Sequence, residues 1–288
     1  MKQQGSEFSL RGVAIGDGWS SPLIQTSVYA APFNPVFLAH RLIGLAHIEA
    51  HFLCEFASHF LCRYGEIASA MSFIDENERA HVDAQFQICE KLVAQASWQE
   101  AQQVCDQILS YIDTASGNLD DDDIRRFGYD WPDDRVQVYM NSGALQQALG
   151  VRPQLWSVCS YSVADALSSD EMMPADHLYP SLWGGSDGIR VLFYNGQFDL
   201  NCAAAGTLKY LRQLLGDSVY LQAEKRVWRQ DDSNSSSAPR GFVRDFAIEG
   251  AAHNVTMVVV AGAGHMVPKT QRLHSLEMLA HLIGNKPF

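Results

Sequence analysis

Two side chains, each just past an apolar run, carry the most chemistry in this sequence. His265 lies in "VVVAGAGHMVPKTQ", residues 258–271, after a Gly-Ala-Gly turn, and Pro268 keeps the preceding run from continuing as a strand. Asp199 lies in "FYNGQFDLNC", again beyond an apolar run and a glycine. A histidine displayed on a turn at a strand end is placed to act as a general base. Asp199 taken alone reads as a helix cap. Paired with His265 across neighbouring strand ends, it reads as the acid that fixes the imidazole tautomer and stabilises the imidazolium. Such a base needs a nucleophile to activate.

The sequence offers one decoy for that role. "GGSDG", residues 184–188, satisfies G-x-S-x-G with Ser186, and the order Ser186, Asp199, His265 suits a triad. The context does not: a nucleophile elbow ends a strand and opens a helix, whereas Ser186 precedes the strand that leads to Asp199. That strand, about seven residues at ~3.3 Å each, sets the two ends roughly 20 Å apart. Hydrogen-bond reach is ~3 Å. Ser186 is read as a loop serine.

Metal chemistry is weighed and set aside. His47, His51 and Cys54 share a helical face with a spacing that could hold zinc, but Phe52, Leu53, Phe56 and Phe60 interleave them as in a half-buried helix. Asp120–Asp123 are consecutive, without the spaced ligands and glycine of a calcium loop, and read as a solvated loop. No metal site and no cofactor are expected.

The elements that must position Asp199 and His265 follow from hydrophobic pattern. Gly12–Ile15, Ile189–Tyr194 and Val255–Ala261 read as buried parallel strands. Helical segments follow the last two: "CAAAGTLKYLRQLL", and "RLHSLEMLAHLI", where Leu273, Leu276, Leu279, Ala280 and Ile283 share a face. Strand–turn–helix, twice, is the grammar of a doubly wound α/β sheet. The order Asp then His on successive strand ends is that of α/β-hydrolases. Residues 219–246 read as two further strands around the loop "QDDSNSSSAP". Between these parts, residues 35–115 read as mainly helical, with two helices broken near Ser97. Cys89 and Cys105 lie equally far from that break, so a helical hairpin could set them opposite each other, as a disulfide or as two buried thiols. The expected organisation is a hydrolase core over 1–22 and 181–288, interrupted by a helical cap over 23–180.

Composition bounds the partners. A net charge of −12 argues against nucleic acid and anionic membranes. The most apolar long window, residues 35–53, contains His40, Arg41, His47, Glu49 and His51, so no membrane span is expected. "MKQQGSEFSLRG" has no apolar run of the signal-peptide kind. Asn234 and Asn254 begin N-x-S/T sequons.

With these residues in view, the chain resembles the serine carboxypeptidases, and most nearly their vitellogenic-like branch. "VLFYNGQFDLNC", "AEKRVW", "GFVRDF" and "VVVAGAGHMVPKTQ" resemble the family's C-terminal signatures in order. "LRGVAIGDGWSSP" resembles its GNG/GDG strand, and "VQVYMNSGALQQALGV" one of its helix starts. The resemblance implies an α/β-hydrolase fold with a helical cap and release of C-terminal residues from peptide substrates. It places Asp199 and His265 on the catalytic aspartate and histidine, Met266 in the leaving-group pocket, and Cys202 on a cysteine that some members carry near the site. It also implies the secretory pathway, lysosome or vacuole.

One departure matters. The family's "GESYAG"-type elbow lies upstream of the GDG strand, and before Gly16 this chain has only Ser6 and Ser9, neither in such a motif. The oxyanion-hole amides belong to the same segment. The chain is therefore expected to be inactive alone, whether as part of a peptidase, as part of a related acyltransferase, or as a non-catalytic homologue that binds peptide or protein. Both flanks of the Gly12–Ile15 strand are expected to lack partners, which would favour self-association into homo-oligomers.

Overall fold

The structure, a computed structural model, describes residues 10–26, 63–129, 134–158, 160–230 and 236–288. His47, His51 and Cys54, the weighed zinc ligands, lie outside these residues, as does the Asn234 sequon.

The apolar runs form one five-stranded sheet. β1 (Gly12–Gly16), β2 (Arg190–Gly196), β3 (Arg226–Arg229), β4 (Pro239–Phe246) and β5 (Val255–Val260) lie in the order β1-β2-β5-β4-β3. β1, β2 and β5 are mutually parallel, while β4 and β3 extend the sheet antiparallel. β2 and β5 are apolar along most of their length, as interior strands covered on both faces must be.

Four helices exceed eleven residues among those described: α1 (Glu76–Ala94), α2 (Trp98–Ala115), α3 (Ala204–Leu215) and α4 (Arg272–Gly284). α1 starts at a capping box, in which Asp75 accepts the N–H of Glu78 and Glu78 reaches back to the N–H of Asp75. The break near Ser97 is real, since Ser97 precedes the first turn of α2, and α1 and α2 pack as a hairpin. Cys89 and Cys105 are joined in a disulfide across it.

Successive residues of a strand face opposite sides, and here they feed two cores. Val191, Phe193, Val255 and Met257 pack with Tyr210 and Leu211 of α3. Leu192, Val258 and Val260 pack with Trp228 and with Met278 of α4. A third core fills the helical part, where Phe86, Ile108 and Ile112 meet Leu200, just past β2. That contact seats the helical part over the strand ends.

Two expectations need correction. The β1 strand is not bare on both flanks, because β2 pairs with it from Gly12 to Gly16; among the described residues only its other flank has no strand partner. The apolar face expected on α4 is not the one the sheet takes. Met278 and Leu282 turn inward, while Leu273 and Leu276 stand 78% and 65% exposed.

The disulfide closes a loop with a sequence separation of 16, a constraint worth about 3 kcal/mol through the unfolded state. Urea melts with and without reductant should show a loss of that order, and peptide mapping should find Cys89 linked to Cys105. The exposed stripe on α4 should drive self-association. Leu276→Lys should shift the protein towards monomer in sedimentation at a stability change under about 0.5 kcal/mol; an unchanged distribution would clear the stripe of that role.

Candidate active site

Because β2 and β5 are parallel neighbours, the loops that follow them emerge at one edge of the sheet. Backbone hydrogen bonds knit those loops together: the Gln197 N–H donates to Val260 O at 3.1 Å and the Phe198 N–H to Ala263 O at 2.8 Å. The approach requires glycine. A Cβ on Gly196 would strike the carbonyl oxygens of Gly264 and Ala263, and one on Gly264 would strike that of Asp122.

Asp199 and His265 meet at this junction, with His265 Nδ1 lying 3.1 Å from Asp199 Oδ2. The Asp199 side chain is fully buried and the His265 ring is 29% exposed. Asp199 Oδ1 accepts the Cys202 N–H at 2.9 Å, so both carboxylate oxygens are engaged. The buried amide of Asn195, on β2, donates to Cys202 O at 2.8 Å and fixes the same turn. The His265 backbone N–H donates to Asp122 O at 2.6 Å. Asp199 is thus placed by the turn after β2, and His265 by the turn after β5.

The 120–123 acidic run is not the solvated loop expected from its charge. Asp120 and Asp123 are buried, Asp120 facing Arg126 at 3.6 Å and Asp123 facing Arg125 at 2.6 Å. Asp121 O accepts the N–H groups of Leu200 and Asn201, and the Ile124 N–H donates to Phe198 O. Arg125 also donates to Gly262 O at 3.0 Å and lies over the Phe198 ring at 4.4 Å. The run therefore straps both strand-end loops. Its carboxylates tolerate burial because adjacent arginines neutralise two of them, which a count of acidic residues does not reveal.

Electrostatics follow from the geometry. The hydrogen bonds from Asp199, first, and Cys202 raise His265 from 6.5 to about 11, against the opposing effect of burial. Burial also pushes the Cys202 thiol up, so it stays S–H and the Asp199 carboxylate holds the imidazolium charge.

A second acid, unassigned by the sequence pattern, completes the cluster. Asp17 follows β1 with a left-handed φ of 46°, its N–H donating to Tyr194 O at 2.9 Å and its Oδ1 accepting the Gly196 N–H at 3.3 Å. Polar atoms of Asp17, Asp199 and His265 lie within 4.8 Å of one another. These three could geometrically share a cation; here the cation among them is the His265 imidazolium. The signal was available, since Asp17 ends the first parallel strand as Asp199 and His265 follow the second and third.

Beside His265 opens a cavity of about 500 Å³, lined by residues that include Met266, Lys269, Arg272, Asp122, Arg126 and Tyr129. Met266 is exposed to it, whereas Cys202 is a buried free thiol and not part of that lining. Ser186 lies in an exposed turn before β2, at the opposite strand end from Asp199. Among the described residues no serine or threonine hydroxyl bonds the His265 ring.

The sheet order, the parallel strand ends and the flanking helices define an α/β-hydrolase fold. A prohormone-processing carboxypeptidase from Saccharomyces cerevisiae superposes with a TM-score of 0.64 at 21% identity, over 99% of this chain and 57% of that one. The profile of the serine carboxypeptidase family matches residues 1–285, and the chain belongs to that family. It is 26% identical to serine carboxypeptidase-like 47 of Arabidopsis thaliana, over 99% of this chain and 49% of the relative. It is 25% identical to a probable serine carboxypeptidase of Dictyostelium discoideum, over 98% and 48% respectively. The chain spans about half the length of these curated relatives.

The raised His265 pKa gives a signed expectation. The pair's contribution is complete below about 6.5 and is lost as pH climbs through about 11. Asp199→Asn should cost about 1.5–3 kcal/mol in urea unfolding near pH 6. That deficit should shrink through the alkaline range, and a pH-independent deficit would contradict the assignment.

Proposed function

We propose that Asp199 and His265 are the acid and base of a serine carboxypeptidase triad whose nucleophile comes from polypeptide outside these 288 residues, so that this chain alone does not cleave peptides. The observation that carries the reading is the 3.1 Å contact between the two side chains at adjacent parallel strand ends. Asp199 holds Nδ1, which leaves Nε2 to take a proton from a serine hydroxyl and return it to the leaving amine. The substrate class is peptides with a free C-terminus, and Met266 contributes to the leaving-group side of the cavity next to His265. Cys202 supports the Asp199 turn through its backbone N–H and touches the base through its thiol. The disulfide and the exposed Asn254 sequon favour passage through an oxidising, secretory compartment.

A second reading is a non-catalytic homologue that binds peptide in this cavity. It is favoured by the absence of a hydroxyl on His265 among the described residues.

One experiment separates them. Purified chain is incubated near pH 5 with a blocked dipeptide and a serine-directed organophosphonate, alone and with a family segment carrying the "GESY" serine. Alone it should release no amino acid and take no label, since a His–Asp pair without its serine retains little rate enhancement and loss of oxyanion donors removes roughly a further 10²–10³-fold. With the segment, hydrolysis should appear and His265→Ala should abolish it. Release by the chain alone with label on Ser186 would overturn the reading, and association with the segment without hydrolysis would favour the binding protein.

A further inference from the structure

We propose that Asp17 is a positioning residue for this pair: in the folded protein it is a neutral carboxylic acid that donates its proton in a hydrogen bond to the Asp199 carboxylate. The inference deepens the proposed catalytic reading, but its central measurement does not require activity.

The argument starts from charge. Asp17 and Asp199 converge on one imidazole, with polar atoms of all three within 4.8 Å, and one imidazolium balances one carboxylate. The Asp199 oxygens already accept the Cys202 N–H and the His265 ring. Among the described residues the other groups facing Asp17 are the Tyr194 phenol and the Cys202 thiol, neither of which is a cation. Among the described residues the one backbone donor bonded to it is the Gly196 N–H, at 3.3 Å. A second full negative charge there would be poorly solvated and repelled by the first, so the second carboxyl keeps its proton. Consistently, burial, then the Asp199 charge, raise Asp17 from 3.8 to about 8.

The backbone points the same way. Asp17, at φ 46°, is held in the left-handed region that non-glycine residues seldom adopt. The Asp17 N–H to Tyr194 O and the Gly196 N–H to Asp17 Oδ1 hold that conformation and aim the carboxyl at Asp199. Such strain concentrates where a side chain must be placed for function.

The consequence is a change in the charge of the site near pH 8. Below about pH 8 the trio of neutral Asp17, Asp199 carboxylate and imidazolium carries no net charge. Above it, ionised Asp17 adds a negative charge that binds the His265 proton still more tightly and opposes its service as a base.

The test is carbon NMR of the whole chain labelled at aspartate Cγ and in the histidine rings. Wild type should show one carboxyl titrating with a midpoint near 8, lost in Asp17→Asn and moved towards 4 in Asp199→Asn. Asparagine keeps an acceptor for Gly196 and tolerates a left-handed φ, and the Asp199→Asn shift serves if Asp17→Asn fails to fold. In wild type the His265 ring carbons should also inflect near pH 8, and in Asp17→Asn they should not. A wild-type Asp17 midpoint near 4, or an inflection that survives Asp17→Asn, would overturn the proposal. In the protein reconstituted with the serine segment, Asp17→Asn should move the alkaline limb of kcat/KM. Absence of any hydrolysis there would count against the catalytic reading alone and leave the proton assignment standing on its midpoint.

Discussion

The contact between Asp199 and His265 depends on a backbone junction more than on the two side chains themselves. Loops from β2 and β5 must approach until only glycine fits, at Gly196 and Gly264. The strap formed by residues 120–125 then bonds both, through Asp121 O to Leu200 and Asn201 and through Asp122 O to His265. Loosening any of these contacts would move the imidazole relative to its acid. A displacement of ~1 Å at such a site is enough to cost orders of magnitude in rate.

The strap also explains how the helical part and the sheet act together. Leu200 and Phe198, immediately past β2, belong to the core of the helical part, while Val191 and Phe193 within β2 belong to the sheet core. The turn carrying Asp199 is therefore held by two cores at once. Arg125 adds a third hold, paired with Asp123, bonded to Gly262 O and stacked on Phe198. A charged run became structural because its arginines came with it.

Charge at the site is finely balanced. Two carboxylates face one imidazole in a partly buried setting, which favours one shared proton and one imidazolium over two free anions. The neighbouring cavity sets Asp122 beside Lys269 and Arg272.

Much of this was legible in the chain itself. The apolar runs that became β1, β2 and β5, the helix break at Ser97 and the exclusion of Ser186 follow from periodicity and chain length, which are local properties. So does the common delivery of Asp199 and His265 to one edge, because parallel strands put their following loops at the same end. Three matters were decided only by tertiary structure. The acidic run reads as solvated in the sequence because nothing local says that distant backbone N–H groups will bond its carbonyls. The α4 stripe looked like a core face, but the sheet accepts only the row through Met278 and Leu282. The place of Asp17 at a strand end is legible, but its charge state arises from proximity to Asp199, a residue far along the chain, and electrostatic coupling depends on distance in space rather than in sequence.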